Sequence, residues 1–257
     1  MSRPRFLSRW AVAVVALAGL AIAARANQAV AASDLAESCH KPAWLEDDLA
    51  YLPHAAKRLK QARQLRIVAL GSSSTVGSGG SGAAAAWPAK LRDELAQRLP
   101  NAEVTVLNKA LLRQSVPQML DRLAADVEAE RPDLVIWEAG TSEAVRGTEP
   151  ELLSSGLLEG IDRLTQRGID VILMDMQYAR PIARVINFDP YVEALSQAGL
   201  IRNIYVFPRH AVMREWIEDE HVTFADKQGK EAVQLADRVY ACIATFLADV
   251  IAASLKR

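Results

Sequence analysis

Residues 65–91 read LRIVALGSSSTVGSGGSGAAAAWPAKL, and this stretch decides the fold. An apolar run of strand length ends at Gly71, three serines and a threonine follow, and an alanine-rich segment with helical spacing comes next. A short continuous apolar run that ends in turn residues is typical of a strand buried on both faces. The stretch therefore predicts a strand, a polar turn and a helix. It also raises the question of whether one of the serines is a nucleophile.

The same alternation continues to the end of the chain. Predicted strands are 66–70, 104–108, 134–137, 171–175 and 204–207, and predicted helices are 83–99, 117–129, 151–166, 190–198, 208–218 and 230–255. Apolar strands that alternate with helices indicate a parallel sheet covered on both faces. We expect an α/β fold with three layers (α/β/α), a flavodoxin-like parallel sheet of about five strands. In such a sheet, ligands bind beyond the carboxyl ends of the strands, so the chemistry is expected there.

The N-terminal segment has the pattern of a secretory signal peptide. Three arginines precede an apolar run that begins at Trp10, and small residues with A-x-A spacing follow at Ala24 and Ala26. An uncleaved anchor is the alternative. We predict a signal peptide at 1–31, an N-terminal extension with a helix at 32–60, and the α/β domain at 61–257. The expected location is periplasmic or secreted, with no stable membrane span after cleavage.

Charge and cysteine content bear on three questions, namely nucleic-acid binding, disulfide formation and metal binding. Without residues 1–31 the chain has 26 Lys and Arg against 31 Asp and Glu, a net charge of −5, so nothing favours nucleic-acid binding. Cys39 and Cys242 are the two cysteines, and an oxidising compartment favours a disulfide between them; two separate thiols are the alternative. No Cys, His, Asp or Glu cluster has metal-ligand spacing, and we expect no cofactor.

Residues 77–82 form a literal G-x-G-x-x-G pattern, GSGGSG. In a dinucleotide site this pattern leaves the strand directly and opens the helix, so that the pyrophosphate meets the helix N-terminus. Here six residues separate it from Leu70, and the second strand ends in Asn108 and Lys109 instead of an acid for the ribose. We interpret this segment as a loop.

Four motifs together resemble the SGNH (GDSL-type) serine hydrolase family, particularly a group of secreted bacterial members. They are LGSSST at the first strand, WEAGTS at the third, DMQYAR at the fourth and YACIA in the last helix. The resemblance covers nearly all of residues 65–250. It implies ester or acyl hydrolysis through a serine nucleophile, and it places that nucleophile at Ser73.

The other positions that the resemblance implies are altered in this chain. The glycine whose N–H binds the oxyanion falls on Ala110, the asparagine that assists it falls on Ser142, and the Asp-x-x-His pair falls on Glu231 and Gln234. An amide takes up no proton near pH 7, so Gln234 cannot activate Ser73 as a base. We expect weak or lost hydrolysis. What remains is binding of an acyl ester, a glycan or a protein at the strand ends.

The alternative is an active esterase with a rewired base, either His221 or Asp175. His221 lies in an acidic loop, and acidic neighbours favour its protonated form. Asp175 ends the fourth strand, where an aspartate also suits a turn cap. Arg146 and Arg180 are loop cations that either hold a carboxylate or phosphate or are simply solvated.

Overall fold

Five apolar runs form one sheet in the computed structural model, which describes residues 39–45, 49–218 and 228–256. The strands are β1 (Gln64–Leu70), β2 (Glu103–Asn108), β3 (Leu134–Glu138), β4 (Asp170–Met174) and β5 (Val206–Phe207). Every residue of β3 and β4 is buried, as expected for strands covered on both faces. The predicted signal peptide and His221 lie outside the described residues.

The strand order is β2-β1-β3-β4-β5, and each neighbouring pair is parallel. Ala69 pairs with Asn108, Leu70 with Trp137, and Glu138 with Met174, so these strands end at one side of the sheet. We call this side the carboxyl edge. The predicted fold class, an α/β fold with a five-stranded parallel sheet, is confirmed.

Helices connect the strands and cover the sheet. They are α1 (Pro53–Ala62), α2 (Ser73–Val76), α3 (Trp87–Arg98), α4 (Val116–Asp121), α5 (Leu123–Asp126), α6 (Thr141–Arg146), α7 (Pro150–Thr165), α8 (Arg180–Ala183), α9 (Asp189–Arg202), α10 (Arg209–Glu218) and α11 (Gly229–Ser254). Short 3-10 turns lie at Ala43–Leu45 and Glu128–Glu130. Residues Lys41–Arg257 form one compact unit.

The helix boundaries differ from the sequence prediction in three ways. Helix α3 begins at Trp87 and not at residue 83, because Pro88 suits a first turn, where its missing N–H breaks no helical bond. The predicted helix 117–129 divides at Arg122, whose backbone (φ −105°, ψ 3°) leaves the helical region. Helices α2, α6 and α8 were not predicted, because four to six residues are too few to show a helical period.

The last helix packs against the side of the fold that carries α3. Its apolar stripe includes the buried residues Ile243, Leu247 and Ile251, and the rings of Trp216 and Phe246 meet at 5.7 Å. Cys39 and Cys242 are both disulfide-bonded, so the predicted disulfide is present. Among the described residues, no helix has the length and apolar character needed to cross a membrane.

Candidate active site

The predicted nucleophile, Ser73, is the first residue of α2, three residues beyond the end of β1. It is half-buried at the carboxyl edge, whereas Ser72 and Ser74 beside it are buried. The turn needs glycine at Gly71, because a Cβ there would collide with the side chain of Thr75. The local sequence therefore makes a sharp strand-to-helix turn that presents one serine hydroxyl.

A buried glutamate at the end of β3 stabilises this turn through hydrogen bonds. Glu138 is 1% exposed, and its Oε2 accepts hydrogen bonds from Ser72 N (3.0 Å) and Thr75 Oγ1 (3.1 Å). Its other oxygen accepts a third bond from Thr141 Oγ1 at 3.3 Å. This role of Glu138 was not predicted, although an acid that ends an otherwise apolar strand indicates a buried polar contact.

The backbone N–H beside the nucleophile belongs to Arg113, not to Ala110. Arg113 N donates to Ser73 Oγ at 3.1 Å, whereas Ala110 N donates to Asn108 Oδ1 at 3.0 Å. Arg113 has a φ of 58°, in the left-handed region that favours glycine. The structure therefore brings the N–H of Arg113, and not that of Ala110, to the nucleophile, and the role of Ala110 as an oxyanion donor stays a prediction.

Helix α6 holds the loop that carries this N–H. Arg146 Nη2 donates to the Arg113 carbonyl oxygen at 2.8 Å, and Glu143 Oε1 accepts a bond from Val116 N. Burial raises the pKa of Glu143, while its bond from Val116 opposes that rise. Arg146, interpreted from the sequence as a loop cation, thus also orients the Arg113 peptide.

Ser142 lies near the nucleophile turn, but its partner is Ser72. The two buried hydroxyl oxygens are 3.4 Å apart, and either one can be the donor. Among the described contacts, none joins Ser142 to Ser73. Its role as an oxyanion donor stays a prediction, because the hydroxyl would have to turn away from Ser72.

The Glu231 and Gln234 positions lie in the first two turns of α11, and both side chains are exposed. Farther along the helix, Asp237 accepts a bond from Ser81 N (2.8 Å) and Tyr240 donates to the Ser78 carbonyl (2.6 Å). Gln234 stands one helical turn before Asp237 on the same face. That face meets the 78–81 loop. No hydrogen bond within the described residues joins Gln234 to Ser73.

Asp175 is buried and accepts a hydrogen bond from the first turn of α10. Its Oδ1 accepts the His210 N–H at 2.7 Å, and none of the described hydrogen bonds connects it to Ser73. Burial raises the pKa of Asp175 to about 7, although the His210 N–H and the Arg209 charge act to lower it. The helix-cap interpretation therefore fits Asp175 better than a role as base.

A buried arginine links the nucleophile turn to the loop after β4. Arg209 is fully buried, and it donates to Ser74 Oγ at 2.8 Å and to Gln177 Oε1 at 3.1 Å. Arg180, which was also interpreted from the sequence as a loop cation, is the first residue of α8, and it donates to the Ile217 carbonyl oxygen at 2.8 Å. Arg180 is therefore tied to the end of α10.

The raised pKa of Asp175 predicts a pH-dependent stability. In the unfolded chain this carboxyl ionises near its ordinary value of about 3.9. Between that value and about 7 the folded protein therefore holds a proton that the unfolded chain has lost, and stability falls as the pH rises. We expect the free energy of unfolding to be roughly 2 kcal/mol lower at about pH 8 than at about pH 5 on this account.

Urea unfolding of wild type and Asp175→Asn at both pH values checks this. Asparagine keeps an acceptor for the His210 N–H and cannot ionise, so most of the pH difference should disappear. A smaller slope should remain from Asp170, whose pKa burial raises to about 6. An unchanged pH difference in the variant would refute the assignment.

Comparison with known proteins decides the family. A family model described as "Non-GDSL lipase-like family" matches residues 38–257. This chain belongs to the Non-GDSL lipase-like family. An arylesterase from Vibrio mimicus is 26% identical over 139 residues, which cover 52% of this chain and 68% of the relative. The predicted resemblance to SGNH-type hydrolases is confirmed, and by family the chain is an ester hydrolase.

Solved structures support the fold of this Non-GDSL lipase-like protein. A lipolytic protein of the G-D-S-L family from Desulfitobacterium hafniense aligns with a TM-score of 0.57 and 21% identity, covering 73% of this chain and 99% of the other. A catalytic mutant of an acetylxylan esterase from Geobacillus stearothermophilus aligns with a TM-score of 0.59 and 18% identity, covering 73% and 94%. At these identities the likeness concerns the fold.

The site combines a serine hydroxyl, a backbone N–H and two side chains that hold them in place. The hydroxyl of Ser73 and a backbone N–H face each other, and Glu138 and Arg146 hold the two backbone segments in place. In the part of the chain that the structure describes, no group of three His, Cys, Asp or Glu is placed to hold a metal ion. The arrangement can stabilise negative charge on a bound carbonyl oxygen.

Proposed function

We propose that this Non-GDSL lipase-like protein binds acyl esters at the carboxyl edge and hydrolyses them slowly through Ser73, without a general base at the family position. The observation that carries the proposal is the pairing of Ser73 Oγ with the Arg113 N–H, while the family's histidine position is Gln234. The proposed location is the periplasm or the outside of the cell, and the signal-peptide pattern of residues 1–31 supports it.

The serine hydroxyl and the backbone N–H beside it support ester binding. A backbone donor fixed beside the nucleophile has the position to bind the oxygen of a tetrahedral intermediate, and each such donor contributes about 10²–10³ in rate. The Arg146 bond to the Arg113 carbonyl and the Glu138 bonds to the nucleophile turn keep the two segments in register. Such preorganisation needs no proton transfer, so it survives the loss of a base.

The glutamine at position 234 supports slow ester hydrolysis. A serine hydroxyl that keeps its proton is a weak nucleophile, and an amide at Gln234 has no basic site near pH 7. When one member of a catalytic triad is removed, the oxyanion site and binding still leave about 10³–10⁴ over the uncatalysed rate. We therefore expect turnover that depends on Ser73 but lies far below that of a complete triad.

A second candidate is an active esterase whose base is Asp175. The observation in its favour is the pKa of about 7, which suits a general base. Against it stands the hydrogen bond of this buried carboxyl to the start of α10. His221, the other alternative from the sequence, lies outside the described residues and stays a prediction.

The pH profile of Ser73 modification separates these functions. A fluorophosphonate probe should label Ser73, and mass spectrometry should find no label in Ser73→Ala. Without a base, the labelling rate should rise by about tenfold per pH unit through the alkaline range, because only the deprotonated hydroxyl reacts well. A rate that levels off near pH 7 would reveal a working base, and Asp175→Asn then tells whether this base is Asp175.

A further inference from the structure

Two arginines lie near the nucleophile. The backbone of Arg113 contacts Ser73 on one side and Arg146 on the other. Ser73 Oγ lies 3.1 Å from Arg113 N, and the carbonyl oxygen of the same residue lies 2.8 Å from Arg146 Nη2. The positive charge of Arg146 is therefore held near the Ser73 hydroxyl. The side chain of Arg113 begins at the same residue that contacts this hydroxyl. This geometry places the Arg146 guanidinium beside the Arg113 peptide, and Arg113 itself carries a second guanidinium.

Both guanidinium groups are open to a ligand. Arg113 and Arg146 are exposed, and neither forms an ion pair with an acid among the described residues. The charge of Arg146 acts to lower the pKa of Glu143, which is 2% exposed and accepts a hydrogen bond from Val116 N. At least one face of each arginine is therefore free to bind an anion from solution.

The backbone of Arg113 brings its side chain to the nucleophile. Its φ of 58° lies in the left-handed region, and Arg63 and Arg131 adopt similar values of 54° and 50°. Arg113 differs from those two residues because its N–H donates to Ser73 Oγ, so its side chain begins beside the nucleophile.

We propose that Arg113 and Arg146 make the site selective for esters whose acyl group carries a carboxylate. A planar carboxylate matches the fork of a guanidinium, and the scissile carbonyl would meet the Arg113 N–H. Leu112 and Val145 are the sequence neighbours of these arginines, and they are 60% and 61% exposed. Their apolar surface suits a short methylene chain between the carboxylate and the ester carbonyl. The inference rests on the proposed function and names its substrate class.

Matched esters test this selectivity. The ratio of kcat/KM for mono-p-nitrophenyl glutarate to that for p-nitrophenyl butyrate is measured in wild type, Arg113→Gly, Arg113→Lys and Arg146→Gln. Glycine keeps the backbone N–H and removes the charge, so the ratio should fall about tenfold or more, and lysine should restore part of it. Added salt should lower the wild-type ratio. Lys60→Gln, an exposed cation near the start of β1 at the opposite side of the sheet, is the control and should keep the wild-type ratio.

A binding measurement separates this inference from the proposed hydrolysis. Calorimetry with Ser73→Ala compares N-(4-nitrophenyl)glutaramic acid with N-(4-nitrophenyl)butyramide, which do not turn over as esters do. Preferential binding of the acid that disappears with Arg113→Gly supports the inference even if no ester is hydrolysed. Equal binding of the two amides, or equal ester ratios in all variants, would overturn it whatever the turnover.

Discussion

Gln234→His is expected to raise Ser73-dependent ester hydrolysis by about 10²-fold or more, because a positioned general base contributes roughly 10²–10⁴ in rate. The substitution places a basic nitrogen at the position that the sequence resemblance assigns to the family's histidine. Gln234 lies one turn before Asp237, on the helix face that meets the loop following α2. The measurement is kcat/KM for p-nitrophenyl butyrate at about pH 8, where a histidine of ordinary pKa is neutral.

Two controls make this gain specific. Gln234→Asn changes the side chain without adding a base, so its turnover should stay near wild type. In the Ser73→Ala background, Gln234→His should give no gain, because the histidine then has no hydroxyl to activate. The double change Glu231→Asp with Gln234→His should add to the gain, since an acid at position 231 would orient the imidazole. A histidine variant as slow as wild type would refute the assignment of Gln234.

Glu138→Ala is expected to lower the free energy of unfolding by at least about 2 kcal/mol, because each buried donor left without an acceptor costs about 1–3 kcal/mol. The two buried donors are Ser72 N and Thr75 Oγ1, and the half-buried Thr141 Oγ1 loses its acceptor as well. Urea unfolding followed by tryptophan fluorescence measures this loss. Labelling of Ser73 by the fluorophosphonate should slow as well, because the nucleophile turn loses its brace.

Matched variants show whether the carboxylate itself is responsible. Glu138→Gln keeps the size and one acceptor oxygen, so its loss should lie between zero and that of the alanine variant. Glu159→Ala removes an exposed glutamate from α7 and should change stability by no more than about 0.5 kcal/mol. A Glu138→Ala protein as stable as the Glu159→Ala control would contradict the bracing role.

Much of the fold could be predicted because burial on both faces leaves a clear trace in sequence. The runs RIVAL, LVIW and VILMD are continuous and apolar, and they became β1, β3 and β4 with shifts of at most two residues. The fifth strand was predicted too long, since only Val206 and Phe207 pair with β4. An edge strand has one neighbour, and its ladder ends where that neighbour turns away.

The candidate site could be predicted only in part. Ser73 was placed by its turn, GSSST, which the strand end fixes in space. The contact between Arg113 N and Ser73 Oγ was not predicted, because a left-handed φ leaves no mark on an arginine as it does on a glycine. Loop contacts such as the Arg146 bond to Arg113 join segments 33 residues apart, and no local pattern encodes them.

The steady-state hydrolysis of p-nitrophenyl butyrate by wild type and Ser73→Ala tests the central claim most directly. The claim is that the nucleophile and its N–H partner are present while the family base is replaced. It predicts turnover that is lost in Ser73→Ala but stays well below the usual enzyme range of about 1–10³ s⁻¹. Ser73-dependent turnover within that range would contradict the claim, because it would require a base acting on Ser73.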